Sequence, residues 1–560
     1  MKTEGPMNIA LGIHVKHDRG ACIIIDGVVV VNIANERLDR VKYSASPEIP
    51  YAAVDAALKF CDIDISQVSC IGMSGAGVES EKVKQFYKDD FFAHYACHEI
   101  PFFFLSHHLA HAYSSFCSST FSDSLIFVAD GGGDYIGDKQ EAETLYYGSY
   151  GKVQQLAART QDMVVRKMEN PVNTIYPFMP DYIRNHQISL ARKYAQITHL
   201  TGFAHGECGK TMGLASYGKS YFDYSQLDFC DLSFDLKYKD MLEEIYALHI
   251  MSGKPHRDFL LEERANISAT VQEFTERAVI SLLKNYQTRY SCENLCLAGG
   301  LFLNCLLNHK ILCECNFKNV FIIPSAGDDG QARGSAYYAY MEMFGTRSAF
   351  HINLPYVGLD YTEKEIEDAI RSKNLLYKKY TDDELAKITA EYISENKIVG
   401  VHRGKTELGP RALCHRSILA NPAHPDMKDI LNRRVKHREE FRPFAPTVTK
   451  EDQFKYFALR ASSDYMLLAS VVREEYREKL PAVTHVDNTA RVQAVSKDSE
   501  PFIHQLLLEL KKIIGVSVVL NTSFNVAGEP IVESPLDALN TFLKTNIDVL
   551  VIGNCVVTKF

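Results

Sequence analysis

From Met7 the chain reads MNIALGIHVKHDRGACIIIDGVVVVNIANER, apolar runs broken by the polar stretch KHDRG and by Asp26-Gly27. This pattern reads as a meander of three strands, because an Asp-Gly pair between valine- and isoleucine-rich runs accepts the positive φ values of a tight hairpin. A meander with an apolar face needs elements packed on it, so helices must follow. Further on, apolar strands repeatedly run into glycine turns: SLIFVADGGGD, NLCLAGGLFLN and NVFIIPSAGDDG. Glycine at a strand end lets an anion reach backbone N–H groups that a side chain would screen.

That order of elements is how the actin and hexokinase type of ATPase fold begins, and it predicts phosphate binding at the strand ends. Apolar residues recur at helical spacing from about Ile267 to Tyr290, and the helix GQARGSAYYAYMEMF closes this half. The segment AFHINLPYVGLDYT, around residues 351 to 361, lacks periodicity and reads as a linker. Beyond it, strands such as KIVGVHRG and GVSVVLNTSFN alternate with helices such as TEKEIEDAIRSK and DELAKITAEYISENK, the pattern of a second α/β domain. The expected division is 1–352 and 353–560, in keeping with a length of 560 residues, more than one core normally organises. No internal repeat is legible in the sequence.

Sixty-one basic against seventy acidic side chains give a formal charge of -9, which argues against nucleic acid as the main partner. No apolar run approaches the roughly 20 residues that span a bilayer, so no membrane association is expected. The fourteen cysteines are scattered, with no secretory leader ahead of them, and read as reduced thiols of a cytoplasmic protein. Cys292 with Cys296, and Cys313 with Cys315, lack the spacing of a zinc knuckle.

Three clusters carry chemistry. In FFFLSHHLAHAYSSF, His107 and His111 stand four apart and share one helix face, where two imidazoles can reach one cation. Asp130, leaving a strand into a glycine turn, adds an oxygen ligand, and PSAGDDG is a second acidic turn; the competing reading is histidines that merely line a core. The second half gathers its cations in short loops, with Arg411, Arg416, Lys436, Arg442 and Arg491 as the candidate anion-binding set. Arg411 follows Gly409-Pro410 and Arg442 precedes Pro443, so each guanidinium leaves a rigid turn and suits a phosphoryl or carboxyl anion. A solvated charged helix explains RRVKHREE as readily. Finally, LNTSFNVAGEP presents Asn521, Thr522, Ser523 and Asn525 at a strand end, a phosphate or amide site or an ordinary turn.

Taken together, HDRGACIIIDG, NERLDRVK, HHLAHA, DGGGD, GKTMGLASYG, AGGLFLN, GDDG, GPRALCHRSI, REEFRPFAP and NTSFNVAGEPIVESP closely resemble the O-carbamoyltransferases of the nodulation, cephamycin and tobramycin type. The resemblance runs from about residue 8 to the C-terminus. It implies an N-terminal actin-like (ASKHA) domain similar to the threonylcarbamoyl-tRNA enzyme TsaD, and a C-terminal α/β domain similar to YrdC. It further implies Fe2+ or another divalent metal on His107, His111, Asp130 and Asp328, and a nucleotide turn at Gly132, Gly299, Gly300 and Asn304. Carbamoyl phosphate and ATP, with Mg2+ as a further candidate ion, would meet the cationic set and the Asn521, Thr522, Ser523 turn. His17 and Lys42 would face the transfer site, with His17 the candidate general base.

By the same resemblance, carbamate formed from carbamoyl phosphate attacks the α-phosphorus of ATP, and a hydroxyl of a small-molecule acceptor then takes the carbamoyl group from the adenylate. Two positions depart from the family pattern: Cys414 stands where glycine is usual, and Ser216 where alanine is usual. The competing readings are an actin-fold sugar kinase, which has no use for the histidine pair, a scaffold ATPase, which leaves the arginine loops unexplained, and a tRNA threonylcarbamoyltransferase. The acceptor and the oligomeric state are not written in the sequence.

Overall fold

The computed structural model describes residues 7–162 (save 79, 98 and 138), 188–223 (save 205), 232, 260–345 and 354–559. The expected boundary at 352/353, and the linker as far as residue 353, lie outside the described residues.

The predicted meander is present as β1 (Ile9–His14), β2 (Gly20–Ile25) and β3 (Val28–Ala34). Asp26 and Gly27 adopt φ of 49° and 80° in the hairpin between β2 and β3. With β4 (Cys70–Ser74) and β5 (Phe102–Phe104) these strands form a sheet of order β3-β2-β1-β4-β5, antiparallel through the meander and parallel from β1 to β5.

A second sheet is built from β6 (Asp123–Ala129), β7 (Tyr135–Ile136), β8 (Lys139–Ser149), β9 (Lys152–Asp162), β10 (Asn294–Ala298) and β11 (Asn319–Ile322). Its order is β11-β10-β6-β8-β7, with β9 also paired to β8. Here β6, β8 and β9 repeat the antiparallel meander, and β10 and β11 continue parallel to β6. The sequence shows no internal repeat, yet the topology repeats, because strand pairing constrains the pattern of burial and not residue identity. Duplicated meander-plus-parallel sheets are the actin-like ATPase architecture.

The remaining strands, β12 (Tyr377–Lys379), β13 (Val399–His402), β14 (Arg416–Ala420), β15 (Ala445–Thr449), β16 (Leu468–Val471), β17 (Thr489–Val495), β18 (Val518–Ser523), β19 (Val549–Ile552) and β20 (Cys555–Thr558), form one mixed sheet. Its order among the described residues is β12-β20-β19-β13-β14-β18-β15-β17-β16.

Helix Gln331–Phe344 joins the first two sheets to the site, and small residues set how closely it packs. A Cβ on Gly12 of β1 would lie 2.0 Å from the Ala332 carbonyl oxygen, and one on Gly72 of β4 would lie 1.9 Å from that of Ser335. On its other side, a Cβ on Gly334 would lie 1.9 Å from the Ala110 carbonyl oxygen in helix His107–Ser118. Backbone therefore meets backbone, and the segment carrying Asp328 is pinned against the helix carrying the histidines. Gly334→Val is expected to destabilise the protein by about 2–3 kcal/mol, the usual cost of overpacking a tight contact. Denaturant unfolding at fixed metal concentration reads that loss.

The two halves of the chain are closely joined. One apolar cluster runs from Phe127, Leu297 and Phe302 through to Ile418, Leu520 and Leu550. Arg37 donates to the Gly409 carbonyl at 3.0 Å, Arg40 to those of Ile531 and Pro530 at 2.6 and 3.0 Å, and Lys210 pairs with Glu439 at 2.6 Å. Ser216, one of the two departures from the family pattern, donates its hydroxyl to Asp487 across this junction at 2.8 Å.

The other departure carries strain. Cys414 sits at φ 88°, where an L side chain is disfavoured and glycine is at ease. Its Sγ lies among Thr447, Gln493 and Asn521 in a buried polar knot. Cys414→Gly and Cys414→Ala both delete that sulfur, so their difference isolates the backbone. The glycine variant is expected to be more stable than the alanine variant by about 1 kcal/mol, read as the difference between their melting curves.

Candidate active site

Helix His107–Ser118 begins where Ser106 caps it, the Ser106 Oγ accepting from the Leu109 N–H at 3.3 Å. Asp134 ties this end to the neighbouring loop, its carboxylate accepting from the N–H groups of His107 at 2.9 Å and Gly77 at 3.0 Å. The imidazoles of His107 and His111 therefore project from a fixed helix start, and both are buried.

Opposite them, Asp130 follows β6 and Asp328 precedes the tightly packed helix. The His107 Nε2 lies 3.4 Å from Asp130 Oδ2 and 3.2 Å from Asp328 Oδ1, and the His111 Nε2 lies 3.1 Å from Asp328 Oδ1. One ligand atom from each of the four residues falls within 4.8 Å of all the others. Ligand atoms placed about 2.1 Å from one ion are separated by about 3.0–3.4 Å, so the closest pairs fit a shared cation. Two nitrogen and two carboxylate donors suit Fe2+ and other divalent transition metals better than Mg2+.

The two carboxylates make the cluster a place where positive charge is favoured. Burial alone would depress His107, but the Asp328 and Asp130 carboxylates raise it well above the usual histidine range. Burial opposes ionisation of Asp328 too, yet His107 and His111 hold it well below the usual carboxylate range. The Gly300 N–H donates to Asp130 Oδ1 at 2.7 Å and orients it.

Around this cluster the structure adds residues the sequence reading missed. His14, buried on β1, is held down to about 3 by burial; its Nδ1 lies 3.0 Å from Ser74 Oγ and its ring edge packs on His107. An apolar strand context gives no sign of this. Asp18 sits 3.1 Å from His17 Nδ1, and His17 Nδ1 lies 3.8 Å from Asp328. The hydrogen bond to Asp18 is the first cause that pushes His17 up to about 9. The adjacency His17-Asp18 was the available signal.

The glycine turns divide their work. Gly299 adopts φ 97°, and a Cβ there would meet the Ala129 carbonyl oxygen at 2.2 Å. Asn304 caps helix Cys305–Glu314 through the Leu307 N–H and exchanges hydrogen bonds with Gln272 at 2.8 and 3.2 Å. A Cβ on Gly132 would come within 2.7 Å of the Gln140 and Gln161 side chains, whereas one on Gly131 would meet nothing within 4 Å. The face of the DGGG turn open to a ligand is thus at Gly131.

In the second half the structure gathers Arg411, Lys436, Arg442 and Arg491 and adds Arg438. Their charges act on one another: Arg442 depresses Arg411, Arg438, Arg491 and Lys436, and burial is the larger cause in each. Asn432–Lys436 form a single wide π-helical turn, of the kind found at functional sites. Lys436, buried, donates from this turn to Ser523 Oγ at 3.2 Å and to Asn525 Oδ1 at 2.9 Å. Arg438 lies 4.2 Å over the Phe444 ring and donates to Asn432 Oδ1 at 3.3 Å. The Nε atoms of Arg411 and Arg491 are buried with no hydrogen-bond partner. Lys436 is buried and the four arginines are half-buried, and like charges with unpartnered buried donors are the arrangement an anion would relieve.

Two expected members stand elsewhere. Arg416 is fully buried and donates to the carbonyls of Arg403, Gly404, His415 and Glu533, so its guanidinium holds turns together. Asn521, expected to be exposed at a strand end, is buried and donates to the Ala412 carbonyl, Thr447 and Gln493. Thr522 pairs with Ile418 in the ladder beside it. Asn521 and Ser523 share one face of β18, and position along the strand separates them, since Ser523 at its end is half-buried whereas Asn521 lies within the packed core.

The two clusters are neighbours. Arg411 Nη2 donates at 2.9 Å to the carbonyl of Leu303, in the glycine turn that orients Asp130. Lys42 is exposed as a residue, but neighbouring groups partly screen its amine from water and lower its proton affinity, and the Arg442 and Lys210 charges add to that.

The Carbamoyltransferase N-terminus family matches residues 95–337, and the Carbamoyltransferase C-terminus family matches residues 390–559. Nodulation protein NolNO of Sinorhizobium fredii (strain NBRC 101917 / NGR234) is 32% identical, over 97% of this chain and 79% of its own. An uncharacterized protein of Synechocystis sp. (strain ATCC 27184 / PCC 6803 / Kazusa) is 31% identical, over 97% of this chain and 95% of its own. The 3'-hydroxymethylcephem-O-carbamoyltransferase of Amycolatopsis lactamdurans is 30% identical, over 62% of this chain and 64% of its own. The chain belongs to the carbamoyltransferase family, and it is a transferase enzyme.

Proposed function

We propose that this carbamoyltransferase is ATP-dependent and moves the carbamoyl group of carbamoyl phosphate, through carbamoyl adenylate, to a hydroxyl of a small natural product or sugar. The observation that carries this reading is the juxtaposition of a half-buried cationic pocket with a His/Asp cluster across one tight junction. Neither cluster alone accounts for both an anionic donor and a hydroxyl acceptor. A relative named for acting on a hydroxymethylcephem supports a small-molecule acceptor.

In the pocket, Arg411, Lys436, Arg438, Arg442 and Arg491 hold two phosphorylated substrates whose charges otherwise repel each other. Carbamoyl phosphate loses inorganic phosphate to water, and a carbamate oxygen attacks the α-phosphorus of ATP, forming the P–O bond and expelling pyrophosphate. Ser523 and Asn525 hold the Lys436 amine toward this site. At the other cluster, His107, His111, Asp130 and Asp328 would hold a divalent metal, which when bound supplies a Lewis acid for the carbamoyl oxygen. There the acceptor hydroxyl attacks the carbamoyl carbon, the bond to the adenylate phosphate oxygen breaks, and AMP leaves. His17 takes the hydroxyl proton. Asp18 holds its Nδ1 and thereby orients the ring, leaving Nε2 for the acceptor, and transfer draws on the neutral fraction of the ring.

Incubation with ATP, carbamoyl phosphate and hydroxylated acceptors, followed by mass spectrometry, tests the reading. It expects a carbamoylated product with AMP and pyrophosphate. A phosphorylated product with ADP would establish the sugar-kinase alternative instead.

The pocket also sets a pH dependence. Burial, with Arg438 and Arg442, holds the Lys436 amine well below its usual range. A bound phosphate restores its proton affinity, so binding takes up a proton and affinity falls as pH rises through the free enzyme's Lys436 titration. Calorimetric titration with carbamoyl phosphate in buffers of different ionisation enthalpy is expected to show this uptake, and Lys436→Met is expected to remove it.

A further inference from the structure

The hairpin that follows the DGGGD turn carries side chains that neither cluster uses. Tyr135 and Ile136 form β7, and both are exposed, at 42% and 49%. The same turn begins with Asp130, and Asp134, next to Tyr135, accepts from the backbone N–H of His107. Tyr135 thus stands one residue from a contact with the helix that bears the histidines.

Its ring also lies beside the loop of the candidate base. Gly77 donates its N–H to Asp134, and a Cβ on Gly77 would lie 3.7 Å from Tyr135 Cε2 and 3.0 Å from Lys16 Nζ, so ring and amine flank one glycine. Lys16 donates to the Ala76 carbonyl in that turn and immediately precedes His17. The His17 side chain is 49% exposed, and its Nδ1 lies 3.8 Å from Asp328. On a second segment, Tyr43 stacks on the His17 ring, and it and Val41 are exposed. Four exposed apolar side chains therefore stand on the two segments that adjoin Lys16 and His17. Such a gathering beside a reactive group marks a ligand surface, whereas single exposed apolar residues need no explanation.

An acceptor that brings a hydroxyl to His17 must lay the rest of its body against these side chains. A linear polyol is hydroxylated all round, and covering part of it with apolar groups takes hydrogen bonds to water away without return. A saturated ring has C–H faces and a hydroxylated edge. Tyrosine matches that shape, with a flat apolar face and a polar tip.

We propose that Tyr135, with Ile136, is a specificity-determining residue that holds the acceptor by a C–H face, and that the acceptor is therefore cyclic, a sugar or carbocycle with a free hydroxyl. This rests on the carbamoyl-transfer reading above.

Wild type, Tyr135→Ala and Tyr135→Phe are assayed with ATP, carbamoyl phosphate and a panel of probes. The ring probes are monosaccharides, their phenyl glycosides, cyclitols and aminocyclitols; glycerol and mannitol are the linear probes. Carbamoylated products are expected from ring probes and not from linear ones. In Tyr135→Ala the KM for the best ring probe should rise about tenfold or more, with kcat within about twofold of wild type, because the lost contact is made equally in ground and transition states. Tyr135→Phe keeps the ring and should recover KM to within about twofold. Carbamoyl-phosphate-dependent exchange of labelled pyrophosphate into ATP, which uses no acceptor, should be unchanged in both variants, whereas a general loss of structure would lower it. With exchange present in the wild type, a preference for the linear probes, ring probes left unmodified, or an unchanged KM in Tyr135→Ala would overturn the assignment. Absence of exchange in the wild type would count instead against the reading on which the assignment rests.

Discussion

His111→Ala is expected to lower affinity for divalent metal by more than about 100-fold and to abolish carbamoyl transfer, with the fold intact. The substitution removes one of four donor atoms that converge within 4.8 Å, and Asp328 loses its partner at 3.1 Å. Alanine is a good helix former, and His111 sits well inside helix His107–Ser118, so the helix itself should persist. Elemental analysis of the purified variant checks the metal, and circular dichroism checks the helix. Full metal occupancy in a folded His111→Ala protein would show that these side chains pair with one another and hold no ion.

Arg491→Ala carries the second large effect, and it has two signs. Truncating a half-buried cation whose buried Nε has no partner in the protein should cost about 100-fold or more in adenylate formation, because the anion it awaits loses a charge-assisted bond. Without ligand, however, Arg491 is repelled by Arg411, Arg438 and Arg442, and its removal relieves that repulsion. The variant should therefore melt at the same or a higher temperature than the wild type while losing activity, the exchange of stability for function expected at a binding site. Carbamoyl transfer from externally supplied adenylate should survive. A variant that lost both half-reactions together, with its fold preserved, would place them in one site.

The contrast between these two clusters shows what the sequence discloses. The meander, the helix bearing His107 and His111 and the acidic turns were legible because each rests on local spacing: two residues per strand period, four per shared helix face, and glycine where φ is positive. The duplication of the actin-like sheets was not legible, since pairing of β6, β8 and β9 repeats that of β1 to β3 with different residues.

Arg416 and Asn521 illustrate the same limit from the other side. Both sit in promising motifs, but their polar atoms are taken up by carbonyls and side chains that only the tertiary fold brings near. Arg438 was hidden inside a run that reads as a solvated helix, and a π-helical turn is what directs it and Lys436 to the same pocket. Cys414 is the reverse case, a departure visible in sequence whose physical content, φ 88°, appears only in the backbone.

The central claim is that two half-reactions occupy two adjoining sites of one chain. The most direct test is carbamoyl-phosphate-dependent exchange of labelled pyrophosphate into ATP, measured without acceptor on the wild type, His111→Ala and Arg491→Ala. The expected result is exchange in the wild type and in His111→Ala, and none in Arg491→Ala. Exchange lost from a folded His111→Ala protein, or retained by Arg491→Ala, would contradict the two-site account.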